Sequence, residues 1–162
     1  MIKDIIISIC ALGGLALGIY NLFRDTRKEK VCLRVKPLSF HKMPDGKARG
    51  FTENGVHKSH QFETVGVKVV NLSKFDLTII EVGFTLNTND GKRLAFPEAL
   101  VLEGFTNLPA KISSRESIEL FFIPEQLPQE GKRSALSGVY VHTACELEFF
   151  GGGKVIEDFS KT

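Results

Sequence analysis

VKVVNLSKFDLTIIEVGF, residues 67–84, is the stretch that decides the architecture. On its N-terminal side Val65, Val67 and Val69 alternate with other residues, so one face of an extended segment from Phe62 to Leu72 is apolar. After Asn71-Leu72-Ser73-Lys74-Phe75-Asp76, a run of turn formers, a second extended segment from Asp76 to Asn87 puts Ile80, Val82, Phe84 and Leu86 on one face. Two alternating segments joined by a short turn predict antiparallel core strands. Next, Asn89-Asp90-Gly91 supplies a primed turn between Phe84–Thr88 and Lys92–Phe96, and Pro97 ends that pairing.

Working outward, the same period recurs. Val31–Leu38 alternates and is expected to stop near Pro37. Residues 99–102 and 108–112 read as short edge elements, and Ser117–Ile123 as a strand with Ile118, Leu120 and Phe122 on one face. Pro124–Ser134, with two prolines and a glycine, has room for a turn of helix at most. Gly138–Phe150 reads as the longest strand, and Gly151-Gly152-Gly153 as the turn into a terminal hairpin with Lys154–Phe159. Between the first two strands, residues 41–61 form a long loop rich in glycine and base, carrying His41, His57 and His60. A zinc site needs three or four ligands and neither acids nor cysteines gather there, so contact with lipid or a partner is the expected use of the loop. Seven or eight short strands without a helical period predict a mainly β domain over residues 31–162, an immunoglobulin-like antiparallel β-sandwich.

The start of the chain has a different character. Ile5–Phe23, IIISICALGGLALGIYNLF, carries no charge. As a helix it would measure roughly 28 Å, close to the hydrocarbon thickness of a bilayer, which predicts a transmembrane helix over 5–23 after a short tail, 1–4. A cleaved signal peptide and a buried core helix are the alternatives. Against the first, Asp4 offsets Lys3 and no small-residue cleavage pattern closes the run; against the second, charges directly abut it. The neck, residues 24–30, bears Arg24, Arg27, Lys28 and Lys30, against Lys3 alone on the other side. Bases near a span set its topology, so the C-terminal domain is expected in the cytoplasm, with the same four side chains near lipid head groups. Gly14 and Gly18 form a G-x-x-x-G pair, the spacing of a helix-dimer contact, and so of a homodimer through the span.

Composition removes several function classes. With 21 Lys and Arg against 19 Asp and Glu, the net charge of +2 gives no basic footprint for specific nucleic-acid binding. Of the three cysteines, Cys10 falls in the apolar stretch. Strand alternation sets Cys32 outward with Arg34 and Lys36, and Cys145 inward with Val141 and Leu147, so the two are not expected to pair. Asn71-Leu72-Ser73 is a glycosylation sequon by pattern alone. Gly-rich phosphate loops, H-E-x-x-H, C-x-x-C and G-x-S-x-G elbows are missing from the sequence. His142 with Glu146 and Glu148 is the nearest approach to an acid/base set; alternation puts them on a solvated strand face. No catalytic residue, cofactor or metal is assigned.

The segment Leu17–Arg24, the block 67–84, the block LPAKISSRESIEL over 108–120 and the strand VYVHTACELEF over 139–149 together resemble small single-pass, membrane-anchored β-sandwich proteins of bacteria and prophages. That resemblance, one of layout, implies an inner-membrane anchor with a cytoplasmic head, and as its most concrete task superinfection exclusion, the blocking of DNA entry by a second phage. A structural or accessory subunit of an envelope complex is the alternative, and a membrane-bound enzyme a third. On the first reading the partners are membrane lipids and a phage ejection protein or host membrane protein, with Phe105, Phe121 and Phe150 as contact residues.

Overall fold

The computed structural model describes residues 2–28, 30–42, 48–51, 64–88, 92–96, 99–102 and 106–161. The chain divides into two compact units, Met1–Val31 and Cys32–Thr162.

The first unit is one helix, α1, Ile2–Lys28, of 27 residues. Ala11 to Tyr20 contains no polar side chain except the tyrosine hydroxyl, so this part of the helix is apolar on every side. Its large side chains, Leu12, Leu15, Leu17, Ile19 and Tyr20, are exposed, as are Ile7, Leu22 and Phe23. Among the described residues no helix is long and apolar enough to cross a membrane. The unbroken run of described side chains in α1 is Ala11–Arg24, about 20 Å of helix.

The second unit is built from two antiparallel sheets. The first contains β1 (Leu33–Lys42), β2 (Ala48–Phe51), β3 (Thr64–Asn71), β6 (Leu100–Val101), β7 (Thr106–Asn107) and β9 (Ser117–Phe121), in the order β2-β1-β3-β9-β6-β7. The second runs β11-β10-β4-β5, from β4 (Leu77–Leu86), β5 (Arg93–Ala95), β10 (Leu136–Thr143) and β11 (Glu148–Gly151). A further strand, β8 (Ala110–Ile112), shares an edge of β4 with β5, pairing at Leu77–Ile79 while β5 pairs at Gly83–Thr85. The β-sandwich character expected from the alternation is therefore present.

The valines of block 67–84 behave as their period requires: Val65, Val67 and Val69 are fully buried. Opposite them Val82, Phe84, Val139 and Val141 close the core. At its centre Phe84 meets Phe122 edge-on at 5.0 Å and Phe96 at 5.3 Å, and Phe96 stacks on Phe122 at 4.4 Å. Edge-to-face and offset rings are the favourable quadrupole arrangements, so the abundant phenylalanine supplies the core that tryptophan does not. The sheets also meet at a margin, where a Cβ on Gly151 of β11 would stand 2.4 Å from the carbonyl oxygen of Val35 on β1. Only glycine permits that approach.

Several expectations are corrected. The strand expected to stop at Pro37 continues to Lys42. Pro37 fits because the bonded positions of β1 toward β3 are the even ones, as Leu72 N donating to Cys32 O sets the phase, and β2 pairs only from Ser39. Part of the expected loop is consequently a hairpin, with Ala48–Phe51 folded back on Ser39–Lys42. His57 and His60 lie outside the described residues. Asn89-Asp90-Gly91 also lies outside them, although the two segments it was expected to join do pair, with Phe84 opposite Leu94.

In β4, Ile79 is buried and Ile80 is 43 % exposed, the reverse of the expected face. The register with β10 shifts there, His142 facing Glu81 and Thr143 facing Ile79, so one extra residue on β4 resets the alternation before Val82 and Phe84. The long strand expected from Gly138 to Phe150 is two strands, turning at residues 144–147 with Glu146 at φ 61°. Cys145 sits in that turn and is exposed rather than inward; Cys32 is exposed as expected, and both thiols are free. Finally, beyond a one-turn helix, α2 (Glu130–Arg133), the segment Lys154–Phe159 is a helix, α3, not a strand. A strand would separate Val155 from Ile156 across its faces, whereas one helical stripe buries Val155, Ile156 and Phe159 together.

A polar knot fixes the end at which the chain enters the sandwich. Asn71 is fully buried. Its Nδ2 donates to the carbonyls of Phe75 at 2.8 Å, Ser113 at 3.1 Å and Ile112 at 3.3 Å, and its Oδ1 accepts from Ser73 N at 2.9 Å. Ser73 Oγ accepts from Cys32 N at 2.8 Å, and Ser114 Oγ donates to Ser73 O at 2.9 Å. A sequon residue so enclosed has no amide free for glycosylation in the folded state.

Candidate interaction surface

The bulge in β4 also creates an ordered surface on the second sheet of the head. By turning Val82 and Phe84 inward it turns Glu81, Gly83 and Thr85 outward on the second sheet. Register then sets Glu81, His142 and Glu148 in one row, and Gly83, Tyr140 and Phe150 in the next. Tyr140 lies over Gly83, where a Cβ would stand 2.8 Å from a ring carbon and 2.1 Å from the carbonyl oxygen of Leu94.

Tyr140 is buried, and its hydroxyl donates to Glu81 Oε1 at 2.7 Å. From edge strand β5 Arg93 reaches across the sheet. Its guanidinium stands 5.3 Å from the Tyr140 ring centroid and 5.5 Å from that of Phe150, and it pairs with Glu148. Phe150 remains 58 % exposed. The result is a cation held against two aromatic faces, with one ring open to solvent.

The electrostatics follow from these contacts. The hydrogen bond from Arg93 holds the Glu148 carboxyl below its usual range, and Glu148 raises Arg93 in return. Burial, followed by the hydrogen bond to Glu81, raises the Tyr140 phenol well above its ordinary value. The Tyr140 hydroxyl is thus held in its protonated form as the donor to Glu81. The sequence placed His142, Glu146 and Glu148 on one strand face; Glu146 instead occupies the turn, so no such acid pair forms. Among the described residues, no group of three or more His, Cys, Asp or Glu could hold a metal ion.

Of the contact residues expected from the sequence, Phe150 lies in this surface. Phe121 is half-buried on the first sheet, its ring 6.1 Å from that of Phe40. Phe105 lies outside the described residues. Gly14 and Gly18 are both on α1, with nothing within 4 Å of where a Cβ would stand. Arg24, at the end of α1, and Lys30, beyond it, are exposed; Arg27 and Lys28 belong to α1 and their side chains lie outside the description. Arg93 and Tyr140 were not singled out from sequence. The Asp-Gly hairpin predicts Arg93 on a strand beside β4, and the structure sets it opposite Thr85; bringing it near Tyr140 and Phe150 requires the β4–β10 register, which the bulge conceals.

Comparison with family models, curated proteins and solved structures finds no match to this chain.

Proposed function

We propose that this chain is a single-pass protein of the bacterial inner membrane, with α1 as its anchor and an immunoglobulin-like head in the cytoplasm that works by binding. One observation carries the reading: α1 exposes eight large apolar side chains and has no polar face between Ala11 and Ile19. Moving such surface out of water is worth on the order of 10 kcal/mol. Lipid is the medium that covers all sides of a helix at once. The uncharged residues 5–10 extend the apolar stretch toward spanning length, and Arg24, Arg27, Lys28 and Lys30 bias its C-terminal side inward.

On the head, the Arg93–Tyr140–Phe150 surface supports a binding role. It has the composition of interface hot spots, and its cation is already oriented. Superinfection exclusion is the concrete form of this reading, with a phage ejection protein or the host membrane protein it uses as the partner. The test is expression in a sensitive bacterium, alkaline washing of its membranes, and challenge with related phages. Retention in the washed membrane with blocked DNA entry despite normal adsorption is expected. Release into the wash refutes the anchor, and full sensitivity to every phage refutes exclusion. The Phe150→Ala, Arg93→Ala double variant should remain in the membrane and lose the block.

A further inference from the structure

The head exposes five large apolar side chains among its described residues: Phe75, Ile80, Leu94, Leu147 and Phe150. Three of them, Phe75 (37 %), Ile80 (43 %) and Leu147 (43 %), belong to one end. Hydrogen bonds establish that grouping. The turn holding Phe75 is tied to Cys32, where the chain enters the sandwich, through Ser73, and to residues 113–116 through Asn71 and Asp76. The turn preceding Leu147 is tied to the start of β4 by Ala144 N donating to Thr78 O, with Thr143 and Ile79 register partners.

Lys74 and Arg115 are exposed at the same end, while Asp76 is engaged by Lys111 at 2.8 Å and by Ser114 N at 3.1 Å. Exposed Glu116 and Glu146 complete a mixed set of charges around the apolar tips. Apolar side chains set among charges of both signs match the boundary between head groups and acyl chains. That boundary accepts apolar groups about 5–10 Å deep while keeping flanking charges hydrated.

We propose that the entry end of the sandwich is seated on the bilayer surface, with Phe75, Ile80 and Leu147 in the interfacial layer and Lys74 and Arg115 among the lipid phosphates. This rests on α1 being a membrane anchor. The seat adds to it a fixed orientation, in which the opposite end of the sandwich faces away from the lipid.

The absence of tryptophan from the chain provides the test. Full-length Phe75→Trp and Leu147→Trp variants, with Glu125→Trp at the opposite end as the control, are reconstituted in phosphatidylcholine nanodiscs with or without bromine on the acyl chains. Bromine should reduce the emission of the Phe75→Trp and Leu147→Trp proteins by about half, the behaviour of interfacial indoles, and leave the control unchanged. Two substitutions in separate turns keep the test decisive if one of them unfolds the head, which circular dichroism reports. Discs that retain the protein but quench the three variants alike overturn the seat and leave the anchor standing. Failure of the chain to enter the discs overturns both.

Discussion

Replacing Asn71 tests whether a single buried amide holds the entry end together. Its side chain serves Ser73 N at 2.9 Å and the carbonyls of Phe75 at 2.8 Å and Ser113 at 3.1 Å, with Ile112 O more distant at 3.3 Å. Asn71→Ala leaves three well-placed groups unsatisfied. Each buried orphan costs about 1–3 kcal/mol, and water entering the small cavity recovers part of that, so the expected loss is about 3–4 kcal/mol. For a domain of this size that lowers the melting temperature by roughly 10–15 °C. Asn71→Asp separates donor from volume: it keeps the bond to Ser73 N and turns an acceptor toward carbonyl oxygens. Burial and those carbonyls raise the folded-state pKa of the new carboxyl above its unfolded value. The folded state then binds more protons, and stability relative to the parent falls as pH rises through that folded value. Urea unfolding of the full chain in detergent, followed by its β-sheet ellipticity at acidic and neutral pH, measures both effects. A loss under about 1 kcal/mol for Asn71→Ala, or an Asn71→Asp protein indifferent to pH, would refute the knot as the fastening of this end.

Gly83→Ala should cost about 2–3 kcal/mol, because the new methyl meets the Leu94 carbonyl oxygen at 2.1 Å; hydrogen exchange should show β5 released first. An ultraviolet titration should set Tyr140 apart from an ordinary phenol, which ionises at about pH 10. Tyr140, raised by burial and Glu81, should ionise only at higher pH, its stabilisation complete below the unfolded pKa and lost as pH climbs through the folded one. On the proposed topology, changing Arg24, Arg27, Lys28 and Lys30 together to Gln should move a reporter fused after Thr162 out of the cytoplasm in a measurable fraction of molecules.

The core was legible because burial imposes its period on a strand. Val65, Val67, Val69, Leu120 and Phe122 face inward as alternation requires, and the Asp-Gly turn identified the β4–β5 pair. What stayed hidden had local physical causes. One extra residue at Ile80 reversed the apparent face of β4, and periodicity has no marker for an inserted residue until a partner strand supplies the register. Thr143–Leu147 lacks a Gly-Asn or Pro signal; its turn rests on Glu146 adopting a positive φ and on Thr143 Oγ1 bonding the backbone of Leu147. α3 is hidden because three glycines before a short segment carrying Val155, Ile156 and Phe159 suit a hairpin equally well, and only the gap between the sheets selects the helical stripe. The candidate surface inherits these difficulties. Phe150 was visible as an aromatic out of phase with the core, but its partners come from β5 and β10 through the same concealed register.

The bulge connects this hidden geometry to the proposed role. Without the extra residue, Glu81 and Gly83 would point into the core and Val82 and Phe84 outward, so both the ring over Gly83 and the phenylalanine cluster depend on that insertion. Its other product is the exposure of Ile80 at the entry end. One irregularity in β4 therefore builds the aromatic surface proposed to bind a partner and contributes an apolar side chain to the end proposed to face lipid. Removing Ile80 by deletion should disturb both surfaces together, with the core phenylalanines displaced in the same step. Ile80→Ser, which keeps the backbone count, should leave the Arg93–Tyr140–Phe150 surface intact and weaken only the seat.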